Sequence, residues 1–218
     1  MTPFGLPSGE WAPAFDRARE ARLLIVPALF EEANRTRRLA VEVMRRLDKA
    51  GIDCVLPDFP GCNESLQLLA GQTVGSWQEA MRAAAEAFGA THVLAIRGGG
   101  LFVPPGLPGW LLAPANGASQ LRQLLRARVI ASREAGREER QEDLLAQGQA
   151  DGLELSGYAL CAAFLREFPS LVPPVSPHLS TIDQAMLGGS ALWLRAEPGF
   201  ERAQADALAA IVAVGIKA

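Results

Sequence analysis

The sequence predicts a mixed α/β fold: a mostly parallel sheet flanked by helices. Three observations carry that expectation. Short continuous apolar runs, such as RLLIVP at 22–27 and THVLAIR at 91–97, read as strands buried on both faces. Between them lie segments whose apolar residues recur at helical spacing. The order strand, helix, strand, helix, strand is what parallel pairing requires, since each parallel neighbour needs a crossover of a dozen or more residues.

The elements follow in order. After RLLIVP, Ala40, Val43, Met44 and Leu47 form one face of a helix, with Arg37, Arg38, Arg45 and Arg46 on the other and Gly51 as its stop. IDCVLPD (52–58) reads as the second strand and FPGCNES as a polar loop. The next helix has Ser76 and Glu79 in capping-box spacing and an apolar stripe of Trp77, Ala80, Met81, Ala84, Ala85 and Phe88. THVLAIR and GWLLAPA (109–115) are the third and fourth strands. Residues 118–147 read as helical, LELSGY (153–158) as a short strand and ALCAAFLREF as a further helix. The Pro-rich VPPVSPHLS (172–180) reads as a loop, SALWLRAE (190–197) as a last core strand, and 200–213 as a helix with Ala207, Leu208, Ile211 and Val212 inward.

Composition bounds the function classes. The 218 residues are 49% hydrophobic and 21% charged, which suits one globular domain spanning 1–218. A net charge of −3 argues against nucleic acid as a partner. The six arginines of 122–140 are interleaved with Glu134, Glu138 and Glu139, the pattern of a solvated helix. Residues 1–9 carry no basic-then-apolar pattern of a secretory signal, and the apolar tail Ala207–Ile216 is too short to span a membrane. Cys54, Cys62 and Cys161 have no metal-binding spacing, and an odd count suits a reducing, cytoplasmic setting. Neither metal nor cofactor is expected.

The third strand ends unusually. HVLAIRGGG delivers Arg97 and three glycines at the point where parallel-sheet enzymes commonly carry their reactive group. An arginine is neither nucleophile nor base at physiological pH. The following GGGLFVPPGLPG (98–109) has eight Gly or Pro in twelve residues and cannot sustain a helix. The two histidines also stand apart from it. His92 lies five residues back on the same strand, and His178 sits in the VSPHLS loop as the one candidate base.

Asp58, Gly61 and Ser65, in a D-x-x-G-x-x-x-S loop, and Ala95-Ile96-Arg97-Gly98-Gly99, in place of a G-x-S-x-G elbow, make the chain resemble the α/β-hydrolase fold in shortened form. EE-x-N-R-T-R-R (Glu31, Glu32, Asn34 to Arg38), DFPGCNES, SQLRQLLRARV and ELSGYAL resemble the exosortase A system-associated hydrolase 2 family, over roughly residues 22–200. The resemblance implies arginine at the elbow as a family habit, and a setting in bacteria that make exopolysaccharide and sort proteins by a C-terminal PEP signal. It also implies a helical, cap-like insert at 116–168. The histidine of an ordinary hydrolase would fall near RAEPGFE (195–201), where this chain has none, and the chain reads as lacking strands both before Arg22 and between Val172 and Ser190.

Two readings of function follow. In the first, the chain is a non-catalytic binding or accessory protein. Arg97 then pairs with Glu31 or Glu32, or joins Gly98 to Gly100 in a nest for a small anionic ligand, with Asn34 lining the same site. The partner is then that ligand or another protein, and oligomeric state is left open. In the second, an ester or thioester hydrolase uses Cys62 as nucleophile, or Ser65 or Ser180 with His178.

Overall fold

The computed structural model describes residues 1–217. An N-terminal hairpin, β1 (Thr2–Gly5) and β2 (Trp11–Phe15), precedes β3 (Arg22–Val26), α1 (Phe30–Lys49), β4 (Asp53–Val55), α2 (Val74–Phe88), β5 (His92–Ile96) and β6 (Gly109–Leu112). Then come α3 (Gly117–Glu134), α4 (Gln141–Asp151), a second hairpin of β7 (Leu153–Leu155) and β8 (Tyr158–Leu160), and α5 (Ala162–Glu167). The chain returns to the sheet as β9 (Leu179–Ile182) and continues through α6 (Gln184–Leu187) and α7 (Arg202–Lys217).

Seven strands form the main sheet in the order β1-β2-β4-β3-β5-β6-β9. The run β4-β3-β5-β6-β9 is parallel, and β1 and β2 are antiparallel additions at one edge. Side chains alternate across the sheet. Leu24, Val26, Val93 and Ala95 face α2 and the 117–170 segment, whereas Leu23, Ile25, Leu94 and Ile96 face α1 and α7. A mostly parallel sheet with helices on both faces is therefore the architecture, as expected. All five parallel strands run the same way, so the loops after β3, β4, β5, β6 and β9 gather at one carboxyl edge.

Several local expectations are corrected. Helix α2 is capped by Thr73 and Ser76, not by Ser76 and Glu79: Ser76 N donates to Thr73 Oγ1 at 3.0 Å and Thr73 N donates to Ser76 Oγ at 2.9 Å. Glu79 instead pairs with Arg82 on the exposed face. The helix read over 118–147 is two helices, broken by a turn in which Gly136 takes φ 74°. LELSGY and the residues after it fold as the β7–β8 hairpin, turning at Ser156 and Gly157, both at positive φ. SALWLRAE is not a strand: Leu192–Leu194 form a short 3-10 turn with Leu192 and Trp193 buried. The last sheet strand is β9, which begins at the end of the stretch read as a loop and runs two residues past it, and two further strands precede Arg22.

Among the described residues no helix is long and apolar enough to cross a membrane. The three cysteines are free thiols.

Candidate functional site

The site is built around the elbow after β5. Arg97 has φ 54°, a left-handed conformation rarely adopted by a residue with a side chain. Such strain persists only where surrounding contacts over-determine it. Here the chain leaves the strand as a 3-10 helix, Arg97–Phe102, rather than the α-helix that follows a hydrolase nucleophile. The glycine run is forced by close approach. A Cβ on Gly99 would stand 2.3 Å from the Pro27 carbonyl oxygen, and one on Gly98 would stand 2.9 Å from the Leu29 side chain. The elbow is thus pressed against the loop leaving β3.

Arg97 reaches three segments, two through hydrogen bonds and one through its charge. Its Nε and Nη2 donate to the two carboxylate oxygens of Glu32, each at 3.1 Å, and Nη1 donates to the Ala113 carbonyl at 2.6 Å. Its guanidinium also lies 4.6 Å from the centre of the Trp193 ring. The Arg97 side chain is 16% exposed and that of Glu32 is 3% exposed. One guanidinium therefore ties the elbow to the first turn of α1, to the exit of β6 and to the 3-10 turn at Leu192–Leu194. The residue acts as a clasp between them. Glu32 gains a second favourable neighbour, since it lies in the first turn of a 20-residue helix, where the backbone dipole favours negative charge.

Of the two glutamates weighed as partners, the structure brings Glu32 to Arg97. Glu31 is exposed one residue earlier, on the side of α1 that faces away from the core. Asn34 is also exposed and takes no part in the cluster. Gly98 and Gly99 are buried under Leu29 and Pro27, so their amides are not presented as an anion nest, and the Arg97 charge is already paired with Glu32.

The two histidines lie at the opposite end of the sheet. His92 pairs with Leu23 at the start of β5 and stacks on Trp110 at 6.2 Å, and burial holds its pKa below the ordinary value. The His178 carbonyl accepts a bond from Gly109 N at the start of β6, and its side chain is exposed. His178 therefore cannot serve as base for a group at the carboxyl edge, which removes the geometry required by its catalytic candidacy. Asp183 directly follows β9, in the region where the resemblance led one to expect a missing strand and acid, but it is exposed and has no histidine near it.

The hydroxyl and thiol candidates are also held structurally. Ser65 Oγ donates to Glu10 and accepts from Gly61 N at 2.8 Å. Asp58 receives Arg37 at 2.5 and 3.3 Å and Asn63 at 3.0 Å, closing the D-x-x-G-x-x-x-S loop on itself. Ser180 is exposed on the edge strand β9, opposite Trp110. Cys62 lies in a crevice with Phe59, Trp77 and Tyr158, where burial and then the Asp58 charge push its thiol up to about 12. A nucleophilic cysteine needs the opposite shift. Among the described residues, no three His, Cys, Asp or Glu side chains are grouped so as to hold a metal ion.

Residues 117–170 pack with α2 on one face of the sheet. They meet the sheet through an aromatic cluster in which Phe30 packs against Trp77, Tyr158, Phe164 and Phe168. Phe30 is turned into this cluster by its own positive φ of 52°. Beside it a cavity of about 190 Å³ opens between the first turns of α1, the face of α3 and the β7–β8 turn. Leu29, Phe30, Leu124 and Ala127 give it apolar walls; Glu31, Glu32, Arg35, Gln120, Gln123 and Ser156 give it polar groups. Burial, Glu31 and Cys62 hold the neighbouring Tyr158 hydroxyl protonated, with a pKa of about 12.

Trp193, Arg35 and Gln120 were missed in the sequence. Trp193 was hidden in a continuous apolar stretch that reads as a core strand. Gln120 sits one residue before Leu121 on the inward stripe of α3, which could have marked it as a buried polar group.

No protein-family model matches the sequence, and no curated protein matches it. Among solved structures the chain is similar to alpha/beta hydrolase domain-containing protein 10 from mouse, at 14% identity and a TM-score of 0.58, over 95% of this chain and 93% of that one. Est1E from Butyrivibrio proteoclasticus, solved with ferulic acid bound, matches at 15% identity and a TM-score of 0.49, over 79% and 72%. A protein from Agrobacterium vitis S4 described as a hydrolase matches at 17% identity and a TM-score of 0.45, over 60% of this chain and 59%, less than two thirds, of its own.

Proposed function

We propose that this chain, which has the α/β-hydrolase fold, is a non-catalytic binding or accessory protein of the cytoplasm in an exopolysaccharide- and exosortase-associated setting. One observation carries the reading: the elbow side chain is a largely buried arginine held by hydrogen bonds to Glu32 and Ala113 and by its contact with the Trp193 ring. Acyl transfer by this fold needs a nucleophile at the elbow and a base within hydrogen-bond reach of it. An arginine supplies neither, and the two histidines of the sequence stand at the amino ends of their strands. The setting rests on the resemblance of EE-x-N-R-T-R-R, DFPGCNES and ELSGYAL to the exosortase-associated family. An anionic ligand at Arg97 is no longer favoured, because its guanidinium already has a carboxylate.

The test is turnover of a panel of p-nitrophenyl esters and acyl thioesters, from acetyl to octanoyl, together with labelling by a fluorophosphonate and by iodoacetamide at pH 7.5. The expected result is turnover no greater than that of the heat-denatured protein, no serine labelled, and Cys62 alkylated far more slowly than a free thiol. Stoichiometric labelling of one residue, with turnover lost on its replacement, would overturn the reading in favour of a hydrolase with an unusual nucleophile.

A further inference from the structure

We infer that the concavity at the turn between α3 and α4 binds a phosphate monoester, held by the guanidinium groups of Arg133, Arg137 and Arg140. The site shares no residue with the elbow after β5, so it stands whether or not the elbow is catalytic.

The turn is set by local sequence. Helix α3 ends in a Schellman motif. Gly136 takes φ 74°, its N–H donates to the Arg133 carbonyl at 3.0 Å, and the Arg137 N–H reaches back to the Ser132 carbonyl at 2.8 Å. Helix α4 then begins at Gln141. The reversal sets Arg133, Arg137 and Arg140 around one concavity of about 340 Å³, completed by Val129, Glu138 and Glu139.

The six arginines of 122–140 are interleaved with three glutamates, a mixture in which mutual pairing is expected. Among the described residues one such pair forms: Arg128 donates from Nε and Nη2 to Glu139 at 2.8 and 2.9 Å. The guanidiniums of Arg133, Arg137 and Arg140 meet no carboxylate or carbonyl among the described residues, and all three residues are exposed. Helix polarity explains only part of this. The dipole of α3 favours a cation in its last turn, which accounts for Arg133. Arg140 directly precedes α4, at the positive end of that helix, where the same effect disfavours it.

The concavity already holds one anion of the chain's own. Glu139 accepts from Arg128 and from the buried Ser132 hydroxyl, and these bonds, with the nearby Arg137 charge, hold its carboxyl down to about 2. With Glu139 met by Arg128, three guanidiniums stand against one further carboxylate, that of Glu138, leaving an excess of two positive charges. A phosphate monoester carries close to two negative charges at neutral pH and offers three acceptor oxygens. The planar guanidinium fork matches such oxygens bidentately. A carboxylate or a phosphodiester brings one charge and leaves the second unmet. The volume of about 340 Å³ is roughly eleven water molecules at ~30 Å³ each, room for the phosphate and a small group esterified to it. Val129 supplies an apolar wall.

The experiment is calorimetric titration of the full chain at low salt, where exposed charges are least screened. The probes are glucose 6-phosphate and a phosphoserine peptide, with dimethyl phosphate and acetate as singly charged controls. It is repeated on Arg137→Gln, Arg140→Gln and, as a control, Arg122→Gln, which lies on α3 outside the concavity. At least one monoester should bind saturably. Arg137→Gln and Arg140→Gln should each weaken it by about tenfold or more, as the loss of a hydrogen bond between charged groups does, and Arg122→Gln should leave it nearly unchanged. Melting temperatures should hold in all three variants, because these guanidiniums tie no part of the fold together. Tighter binding of glucose 6-phosphate would identify the source as a small metabolite, and tighter binding of the peptide a phosphorylated protein; either supports the site. No saturable binding of either monoester, acetate or dimethyl phosphate binding as tightly, or monoester binding unchanged in Arg137→Gln and Arg140→Gln would overturn it.

Discussion

Arg97→Ala is expected to lower the melting temperature by about 6–12 °C, as a loss of roughly 3 kcal/mol does in a domain of this size. The loss comes from what is left behind. Glu32 is 3% exposed, and without the guanidinium its carboxylate is a buried charge with no ionic partner. Breaking a buried pair from one side costs about 3–5 kcal/mol, and the lower end applies because Arg97 retains 16% exposure. The Ala113 carbonyl loses its donor and Trp193 loses the cation over its ring. Alanine recovers nothing from the backbone, since φ 54° is as unfavourable for it as for arginine. Scanning calorimetry reads the effect. Arg97→Ser should be destabilised to a similar degree and should gain no esterase activity, because a hydroxyl there still has no base within reach.

Gly99→Ala should be at least as damaging, with a loss of about 3 kcal/mol or more and a poor yield of folded protein. The added methyl would stand 2.3 Å from the Pro27 carbonyl oxygen and 2.8 Å from that of Val26. Both contacts are backbone, so relief requires moving the loop between β3 and α1 that carries Leu29 and leads to Glu32. Overpacking a tight site costs about 1–3 kcal/mol, and more where the neighbour is unyielding. Gly100→Ala makes the control: its methyl would meet only the Leu111 and Pro114 side chains, at 3.7 Å. Urea denaturation of the two variants side by side gives the comparison, and equal midpoints would refute the close-approach argument.

The parts of this fold legible in the sequence were those whose environment is uniform. Strands β3 and β5 are buried on both faces and therefore read as unbroken apolar runs, and α2 shows its stripe because one side is packed and the other wet. The hairpin β1–β2 was invisible because it is an antiparallel edge with three residues of β1 exposed and a proline in each strand. Strand β9 has four residues, two of them exposed, and follows a proline-rich stretch. SALWLRAE has the continuous apolar run of a core strand, but it folds as a 3-10 turn that brings Trp193 over Arg97.

At the site, the sequence placed Arg97 and two glutamates at the same edge of the sheet, which follows from parallel topology. It did not separate Glu31 from Glu32, although the phase of α1 does. Glu32, Thr36, Leu39, Ala40 and Val43 share the buried face, and Glu31 lies off it. The cavity was beyond reach because its walls come from α1, α3 and the β7–β8 turn, far apart in the chain.

The claim that Arg97 is a clasp is tested most directly by a double-mutant cycle on Arg97→Met and Glu32→Leu, read by denaturant unfolding. If the buried pair is the clasp, each single variant leaves an unpaired charge and the double leaves none. The double should then be more stable than the sum of the singles by about 2 kcal/mol or more. Additivity within about 0.5 kcal/mol would contradict the clasp and return Arg97 to the surface residues.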